Sequence, residues 1–296
     1  MNFFKRFPSV CILLAAALWG VTGIFVRIIE NMGFDFLQLM FFRSLVTAVT
    51  VVIYLLITDR SKLKIDIRDW WYFFGTGVCS FLLFGYAYFY TICHASMSVA
   101  AILLYTAPFF VMLMAAIFFK EKITAQKVSA LAIAIFGCFL ICSSDTNVEI
   151  TPFIIFTGLT SGFCYSLYSI FGRVALKKYS SATVTAYTFI FSTAGSIFMV
   201  NFSELPKAFA ENMPALGVIV IFSIVSAVLP YIFYTNGLKY TEPGKASIMA
   251  TFEAVVAAVS GIVFFHETAS IAEIFGILLV LFAVAMLNLK LFNKTA

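Results

Sequence analysis

Charged residues are scarce in this sequence: Asp, Glu, Lys and Arg make up 11% of its 296 residues, whereas 62% of the residues are hydrophobic. Soluble domains usually carry about 25% charged residues. The longest polar stretches run to about a dozen residues, too few for an independent domain. The composition therefore excludes a separate soluble domain and indicates an integral membrane protein.

The sequence also lacks the short motifs of common hydrolases and nucleotide-binding enzymes. No G-x-S-x-G, P-loop or H-E-x-x-H pattern occurs. The two histidines, His94 and His266, do not have metal-ligand spacing. The six cysteines lie in or at the ends of apolar runs, which is typical of packing rather than of disulfides or metal sites. We therefore expect neither catalytic residues nor a metal or other cofactor.

Long apolar runs, by contrast, fill the chain. Ten of them reach the length of about 20 residues that a helix needs to cross a bilayer, and they lack the period of two of barrel strands. They cover residues 8–29, 34–58, 70–92, 96–119, 125–143, 152–175, 182–202, 214–238, 243–265 and 269–290. The first run is too long for a signal peptide. The predicted fold class is an all-α integral membrane protein with ten transmembrane helices.

Basic residues mark one side of this bundle. With the N-terminus in the cytoplasm, 16 of the 19 Lys and Arg residues fall in cytoplasmic segments, in line with the positive-inside rule. Arg27 and Lys207 fall outside, and Arg43 falls within a span. We expect a multi-pass protein of the cytoplasmic membrane with both termini inside. Nucleic acid is not an expected partner, because the charges are divided among six short ends.

The two halves of the chain resemble each other when one is shifted by 146 residues. The matching blocks are Ile24–Arg27 on Ile170–Arg173, Tyr88 on Tyr234, and Ile117–Glu121 on Val263–Glu267. The shift predicts two five-helix repeats, residues 1–146 and 147–296. Because five is odd, the repeats cross the membrane in opposite directions. Inverted repeats are typical of secondary transporters, which bind substrate near the bilayer midplane between the repeats.

These features resemble the EamA-type, ten-helix branch of the drug/metabolite transporter superfamily, and the resemblance covers the whole chain. It is carried by Trp19-Gly20 in the first helix, Arg43 in the second, and an apolar helix with a central proline that ends in glutamate, Pro108 to Glu121. In the second half, where members often read E-P-V, this chain has Glu253-Ala254-Val255. The resemblance implies transport of a small metabolite, often outward, with amino acids as the commonest substrates.

Glu253 is the first candidate site residue, because it is the one ionisable group between Ala246 and Phe265. Ionisable residues within spans are functional hypotheses by default. Glu253 could carry a proton or bind a cationic group. Alternatively, a protonated or hydrogen-bonded Glu253 could lock its helix to a neighbour.

Arg43 is the second candidate, about ten residues into its span. It remains charged, so it needs an anionic partner, carbonyl groups or water. Three roles are open: it could bind a substrate carboxylate or phosphate, pair with Glu253, or serve as a structural or snorkelling side chain.

Aromatic residues with polar edges complete the candidate set. We expect several of them to line a cavity between the repeats, because tyrosines at mid-span need hydrogen-bond partners. The substrate-binding candidates are Trp19, Arg43, Tyr88, Tyr105, Tyr165, Tyr234 and Glu253. Pro108 and Pro230 interrupt their helices and free carbonyl groups, which could contact a ligand, act as hinges, or merely accompany kinks.

The sequence thus predicts a secondary transporter, monomeric or homodimeric, that moves a small polar or amphipathic metabolite by alternating access. An amino acid or a related compound is the expected substrate, with export as the expected direction and protons as a candidate coupling ion. The main alternative is an intramembrane enzyme that acts on a lipid-linked substrate, but Glu253 alone does not supply an acid–base pair. A passive channel would instead require repeated polar rings along a pore.

The charge pattern makes a testable prediction about topology. Cysteines placed at Lys62 and Lys122 should react with an impermeant thiol reagent from the cytoplasmic side, and a cysteine at Glu149 from outside. Labelling of the Lys62 position from outside in intact cells would overturn the orientation.

Overall fold

The structure, a computed structural model, describes residues 3–142, 151–203, 205–211, 214–266 and 268–288. Within these ranges every regular element is a helix, and ten helices are long and apolar enough to cross a membrane. In chain order, α1 to α10 are Pro8–Ile29, Phe36–Thr58, Ile67–His94, Met97–Phe119, Ala125–Cys142, Pro152–Ala175, Ser181–Met199, Ala215–Tyr240, Pro243–Phe265 and Ile271–Asn288. Their bounds agree with the expected spans to within three residues. The predicted fold class is confirmed, whereas the expected outward position of Glu149 lies outside the described residues.

Polar side chains fix several points at which the helices begin. Before α2, the Asp35 carboxylate accepts a hydrogen bond from the Gln38 amide at 2.7 Å, and the Gln38 side chain accepts one from the Asp35 amide at 3.1 Å. This reciprocal capping box satisfies two amides that have no partner within the helix. Ser96 and Ser180 cap α4 and α7 through single bonds. The short polar connections therefore determine where these spans start.

Three helices are interrupted: α1 at Val21, between Pro8–Gly20 and Thr22–Glu30, and α4 and α9 near their midpoints. Helix α4 is divided into α4a (Met97–Leu104) and α4b (Ala107–Phe119), and α9 into α9a (Pro243–Ala250) and α9b (Phe252–Phe265). In α4 the break precedes Pro108, as expected. The sequence of α9 has no proline at this point, yet the helix is also broken.

A threonine accounts for the interruption of α9. The Thr251 hydroxyl donates to the Ile248 carbonyl at 2.7 Å, and the Thr251 amide bonds to the same carbonyl at 3.2 Å. This tight turn replaces the regular helical pattern. In α4 the Thr106 hydroxyl donates to the Leu103 carbonyl at 2.6 Å in the same way. Threonine side chains thus stabilise the breaks of α4 and α9.

Helices α3 and α8 each contain a stretch of π-helix, Gly75–Leu82 and Ile224–Val228. Pro230 follows the second stretch, where α8 continues as Leu229–Tyr240. Wide turns of this kind occur frequently at functional sites, because they rotate the following residues relative to a regular helix. The expected interruption at Pro230 is therefore present.

The bounds of the two halves repeat with a separation of 146 residues. Helices α5 and α10, Ala125–Cys142 and Ile271–Asn288, are related in this way at both ends. Helices α4 and α9 are followed by non-glycine residues in the left-handed conformation, Lys120 (φ 55°) and His266 (φ 54°), again 146 residues apart. Such residues are uncommon, so the coincidence supports the repeat found in the sequence. The opposite orientation of the two halves stays a prediction.

Gly20 allows α1 to approach α9b closely. A methyl group built on Gly20 would lie 2.6 Å from the Val256 Cβ and 2.8 Å from the Glu253 carbonyl oxygen. Both distances are shorter than van der Waals contact, so a larger residue would push the helices apart. The Trp19-Gly20 pair therefore has two parts: the glycine sets the spacing from α9b, and the tryptophan enters the interior.

This packing predicts opposite outcomes for two glycines three residues apart. Replacing Gly20 by Ala should lower stability by about 1–3 kcal/mol, because the added methyl group overlaps α9b. Replacing Gly23 by Ala is the matched control, since nothing lies within 4 Å of a methyl group at that position, and it should leave stability unchanged or slightly increased. Melting temperatures in detergent measure both effects. Equal melting temperatures for the two variants would contradict the close contact.

Candidate functional site

Eight aromatic side chains from five helices pack against one another inside the bundle. This aromatic cluster consists of Trp19, Phe81, Phe84, Tyr165, Tyr168, Phe189, Tyr231 and Tyr234. The Trp19 ring lies 5.4 Å from that of Tyr231, 5.3 Å from that of Tyr234 and 6.4 Å from that of Tyr165. Because Trp19 and Tyr165 are 146 residues apart, equivalent positions of the two halves meet here.

The phenol hydroxyls of the cluster differ in their hydrogen bonding. The Tyr234 and Ser169 hydroxyls form a hydrogen bond of 2.8 Å. Tyr168 is 6% exposed, and its hydroxyl lies near those of Thr235 and Thr185 without forming a hydrogen bond of regular geometry to a described residue. A buried hydroxyl that is poorly paired is costly, so a ligand or water that bonded to Tyr168 would be favourable.

Arg43 approaches the cluster from α2. Its guanidinium carbon lies 4.9 Å from the centre of the Phe81 ring and 5.9 Å from that of Phe222, which are cation–π distances. The Arg43 Nε is buried and unpaired as far as the described residues show. Tyr231 and Glu253 interact with the charge electrostatically. Ring faces therefore provide much of its stabilisation, and part of its hydrogen-bonding capacity is unused.

Glu253 lies in the first turn of α9b, two residues after Thr251. The helix dipole favours a negative charge at this position. Arg43 and Glu253 influence each other electrostatically, but no direct salt bridge joins them among the described contacts. The structure therefore does not contain the direct ion pair that was one of the three roles open to Arg43. Arg43 and Glu253 therefore interact without a direct salt bridge, so each could bind another group.

Two cavities lie along this region. Chamber A is lined by Trp19, Ser80, Phe81, Phe84, Tyr165, Tyr168, Ser169, Tyr231 and Tyr234. Chamber B is lined by Leu104, Tyr105, Ala107, Pro108, Tyr165, Ser247, Ala250, Thr251 and Glu253. Each has room for about one water molecule in this conformation. Chamber A is mostly aromatic, whereas chamber B contains the carboxyl group and the breaks of α4 and α9.

The seven residues predicted as substrate-binding all lie in this region. Five line a chamber: Trp19, Tyr105, Tyr165, Tyr234 and Glu253. The other two, Arg43 and Tyr88, line neither chamber. Arg43 contacts Phe81, and Tyr88 contacts Phe84 with ring centres 5.7 Å apart. The structure brings these residues together, and whether they bind substrate stays a prediction.

Sequence reasoning did not select Tyr231, which contacts four rings of the cluster. Its position could have been found from the pattern, because Tyr231 and Tyr234 are three residues apart and share a helix face. Tyr168, another tyrosine at mid-span, is likewise not among the seven candidates. Ser169 and Thr251 gave no comparable signal, since small hydroxyl residues are frequent in membrane helices.

At the N-terminal end of the bundle, one ion cluster joins the α4–α5 connection to the α8–α9 connection. The Lys127 amine lies 2.7 Å from carboxylate oxygens of both Glu121 and Glu242. Glu121 also accepts a hydrogen bond of 3.4 Å from the amide of Gly244, at the start of α9a. This cluster connects the first half of the chain to the second.

A second ion cluster at the same end joins the α2–α3 connection to the α6–α7 connection. The Lys178 amine lies 2.6 Å from the Asp69 carboxylate and 3.4 Å from that of Asp66. The Tyr179 hydroxyl donates a further hydrogen bond to Asp69. The hydrogen bond to Asp69 raises the pKa of Lys178, so the lysine stays charged. This cluster also connects the two halves.

The opposite end of the bundle is joined by several kinds of contact. The Arg27 guanidinium lies 4.1 Å from the centre of the Phe265 ring, and the Phe41 and Phe202 rings are 5.4 Å apart. The Gln38 amide lies 3.5 Å from the Asn201 carbonyl, and the Thr91 and Thr157 hydroxyls lie 3.2 Å apart. Described contacts therefore join the two halves at both ends.

Comparisons with known proteins agree with this architecture. The chain is 26% identical over 275 residues to an uncharacterized transporter of Archaeoglobus fulgidus, covering 92% of each chain. It is 23% identical over 189 residues to the uncharacterized transporter YyaM of Bacillus subtilis, covering 61% of each. A solved crystal structure superimposes with a TM-score of 0.74 over 95% of this chain and 96% of the other, at 15% identity; it shows the fold alone.

A sequence model of the EamA-like transporter family matches the chain twice, over residues 7–143 and 152–289. These two matches cover nearly the whole chain, with the boundary in the connection between α5 and α6. The ten helices, the candidate motifs and the named relatives are consistent with this assignment. The protein is therefore a multi-pass membrane protein that belongs to the EamA-like transporter family.

Proposed function

We propose that this transporter carries a small zwitterionic metabolite, an amino acid or a close relative, out of the cell across the cytoplasmic membrane. One observation carries the proposal: Arg43 packs against Phe81, which lines chamber A, Glu253 lines chamber B, and the two side chains do not form a direct salt bridge. Opposite charges that are not paired with each other can each bind an opposite charge on a ligand. The outward direction rests on the family resemblance.

The chemistry of Arg43 and Glu253 suits the charged groups of such a ligand. A carboxylate requires a cationic partner with donors to spare, and the buried Nε of Arg43 has no partner in the described chain. An ammonium group requires an anion, and Glu253 lines chamber B. The aromatic walls of chamber A favour an apolar portion of the ligand. Together these groups favour an amphipathic zwitterion over a purely anionic or purely apolar substrate.

Alternating access is the mechanism that this arrangement favours. Both chambers are too small for a metabolite, so transport requires the walls to separate. The two halves are related by a shift of 146 residues, and inverted halves exchange their conformations by rocking about a central site. The ion clusters of Lys127 and Lys178 would hold the cytoplasmic end closed, and they would have to separate when that end opens.

Glu253 is also the candidate for proton coupling. A carboxyl group at the substrate site can release its proton when the substrate ammonium group arrives and regain it after release. Substrate and proton would then compete for one group, which couples their movements without a second site. An exporter driven by an inward proton gradient requires this kind of exchange.

Replacing Glu253 by Gln tests the substrate and proton roles together. The amide keeps the shape but loses the charge, so counterflow of L-amino acids in proteoliposomes should fall at least tenfold and its pH dependence should disappear. Glu253→Asp, which retains a carboxyl group, is the control and should keep part of the counterflow and part of its pH dependence. Melting temperatures should change little, because no direct salt bridge is broken. Normal transport with normal pH dependence in Glu253→Gln would contradict the proposal.

The closed cytoplasmic end makes a second prediction. In a background without native cysteines, a cysteine at Ser247 in chamber B should react slowly with an impermeant thiol reagent added from the cytoplasmic side. Replacing Lys178 by Gln should increase that rate several-fold, because Asp69 loses its partner across the halves. Replacing Lys62 by Gln is the matched control, since Lys62 pairs at 3.3 Å with Asp59 of the same connection. Equal rates in the two variants would show that the Lys178 cluster does not close this end.

A further inference from the structure

Tyr165 is the one residue that lines both chambers. Its ring lies 5.2 Å from that of Phe84 and 6.4 Å from that of Trp19, on the chamber A side. On the other side it faces the space bounded by Tyr105 and Glu253. A single phenol side chain thus forms the wall between an aromatic chamber and a charged chamber.

The Tyr165 ring is not fixed by a hydrogen bond within the described part of the chain. The neighbouring Tyr234 differs, because its hydroxyl is bonded to Ser169 at 2.8 Å. Tyr165 is also half-buried, whereas Tyr168 and Tyr234 are buried. A ring that is held by packing alone can change its rotamer more readily than one that is also bonded at its edge.

The backbone at Tyr165 is coupled to the break in α4. Gly162, one turn before Tyr165, packs so closely that a methyl group there would lie 2.9 Å from the Thr106 hydroxyl and 3.0 Å from the Leu103 carbonyl. Movement at the break of α4 would therefore shift the turn of α6 that carries Tyr165.

Chamber A also contains a polar group that can bind a ligand. The Tyr168 hydroxyl is buried there and forms no hydrogen bond of regular geometry to a described residue. A ligand that reached chamber A with a polar group on its apolar part would satisfy this hydroxyl. The aromatic chamber therefore has the properties of a second subsite and not merely of packed core.

We infer that chambers A and B are two subsites of one elongated binding site, and that Tyr165 determines substrate size by dividing them. With the ring in place, the passage into chamber A is narrow, so a ligand held at Glu253 can extend only a small apolar part toward the walls of chamber A. When the ring is displaced or removed, the chambers join and admit a longer amphipathic ligand whose apolar part enters chamber A. The size preference rests on the proposed function, whereas the division of the two chambers does not.

The first test compares substrates of different size in proteoliposomes. Counterflow of L-alanine and L-tryptophan gives a ratio of kcat/KM values for wild type, Tyr165→Ala and Tyr165→Phe. Removing the ring should raise the tryptophan-to-alanine ratio about tenfold or more, and Tyr165→Phe should behave like wild type. Tyr168→Ala is the matched control, because it removes a ring that lines chamber A alone, contacts Tyr231 and Tyr234 among the described rings, and should not join the chambers. An unchanged ratio in Tyr165→Ala would overturn the inference while leaving amino-acid transport intact.

The second test does not depend on any substrate. In a background without native cysteines, cysteines at Ser169 in chamber A and Ser247 in chamber B are treated with a short bifunctional methanethiosulfonate. Cross-linking, measured by mass, should be several-fold faster in Tyr165→Ala than in Tyr165→Phe. Equal rates would overturn the division of the site. Faster cross-linking together with no amino-acid movement in wild type would refute the proposed substrate and support the division.

Discussion

The cost of holding charge inside a bilayer is the constraint on which the centre of this protein depends. An isolated charge at mid-membrane costs about 3 kcal/mol on insertion scales and about 10 kcal/mol or more in simulations of an arginine on an isolated helix. Arg43 and Glu253 reduce this cost without a direct ion pair. Ring faces of Phe81 and Phe222 surround the guanidinium, and a helix N-terminus faces the carboxyl group. A direct pair would lower the cost further but would leave neither charge free to bind a ligand.

The breaks in α4 and α9 follow from the same constraint. A carboxyl group in the middle of a continuous helix would meet backbone amides already bonded within the helix. By ending α9a at Ala250 and starting α9b at Phe252, the chain places Glu253 in a first turn whose amides are unpaired within the helix. Thr251 makes this possible without proline, because its hydroxyl satisfies the Ile248 carbonyl. The break in α9 and the position of Glu253 at the start of α9b therefore depend on each other.

The sequence predicted the spans closely, since membrane crossing imposes a long apolar run that is visible without any knowledge of contacts. The candidate residues could be selected because polar or aromatic groups at mid-span are unusual in themselves. What could not be predicted depends on contacts between distant residues. Nothing local indicates that Lys178 meets Asp69, or that Tyr231 contacts Trp19. The break in α9 could not be predicted from proline, which is absent at this point, because Thr251 takes its role.

The scaffold of this protein is symmetric, whereas the chemistry at its centre is asymmetric. Arg43 and Phe189 occupy equivalent positions of the two halves, and both contact Phe81, at 4.9 and 5.0 Å. Glu253 and Ala107 are likewise equivalent, and both line chamber B. The matching scaffold allows either end to open about the same centre. Because each charge occurs in one half alone, a bound zwitterion would keep a single orientation while the ends exchange, so its contacts need not be rebuilt during transport.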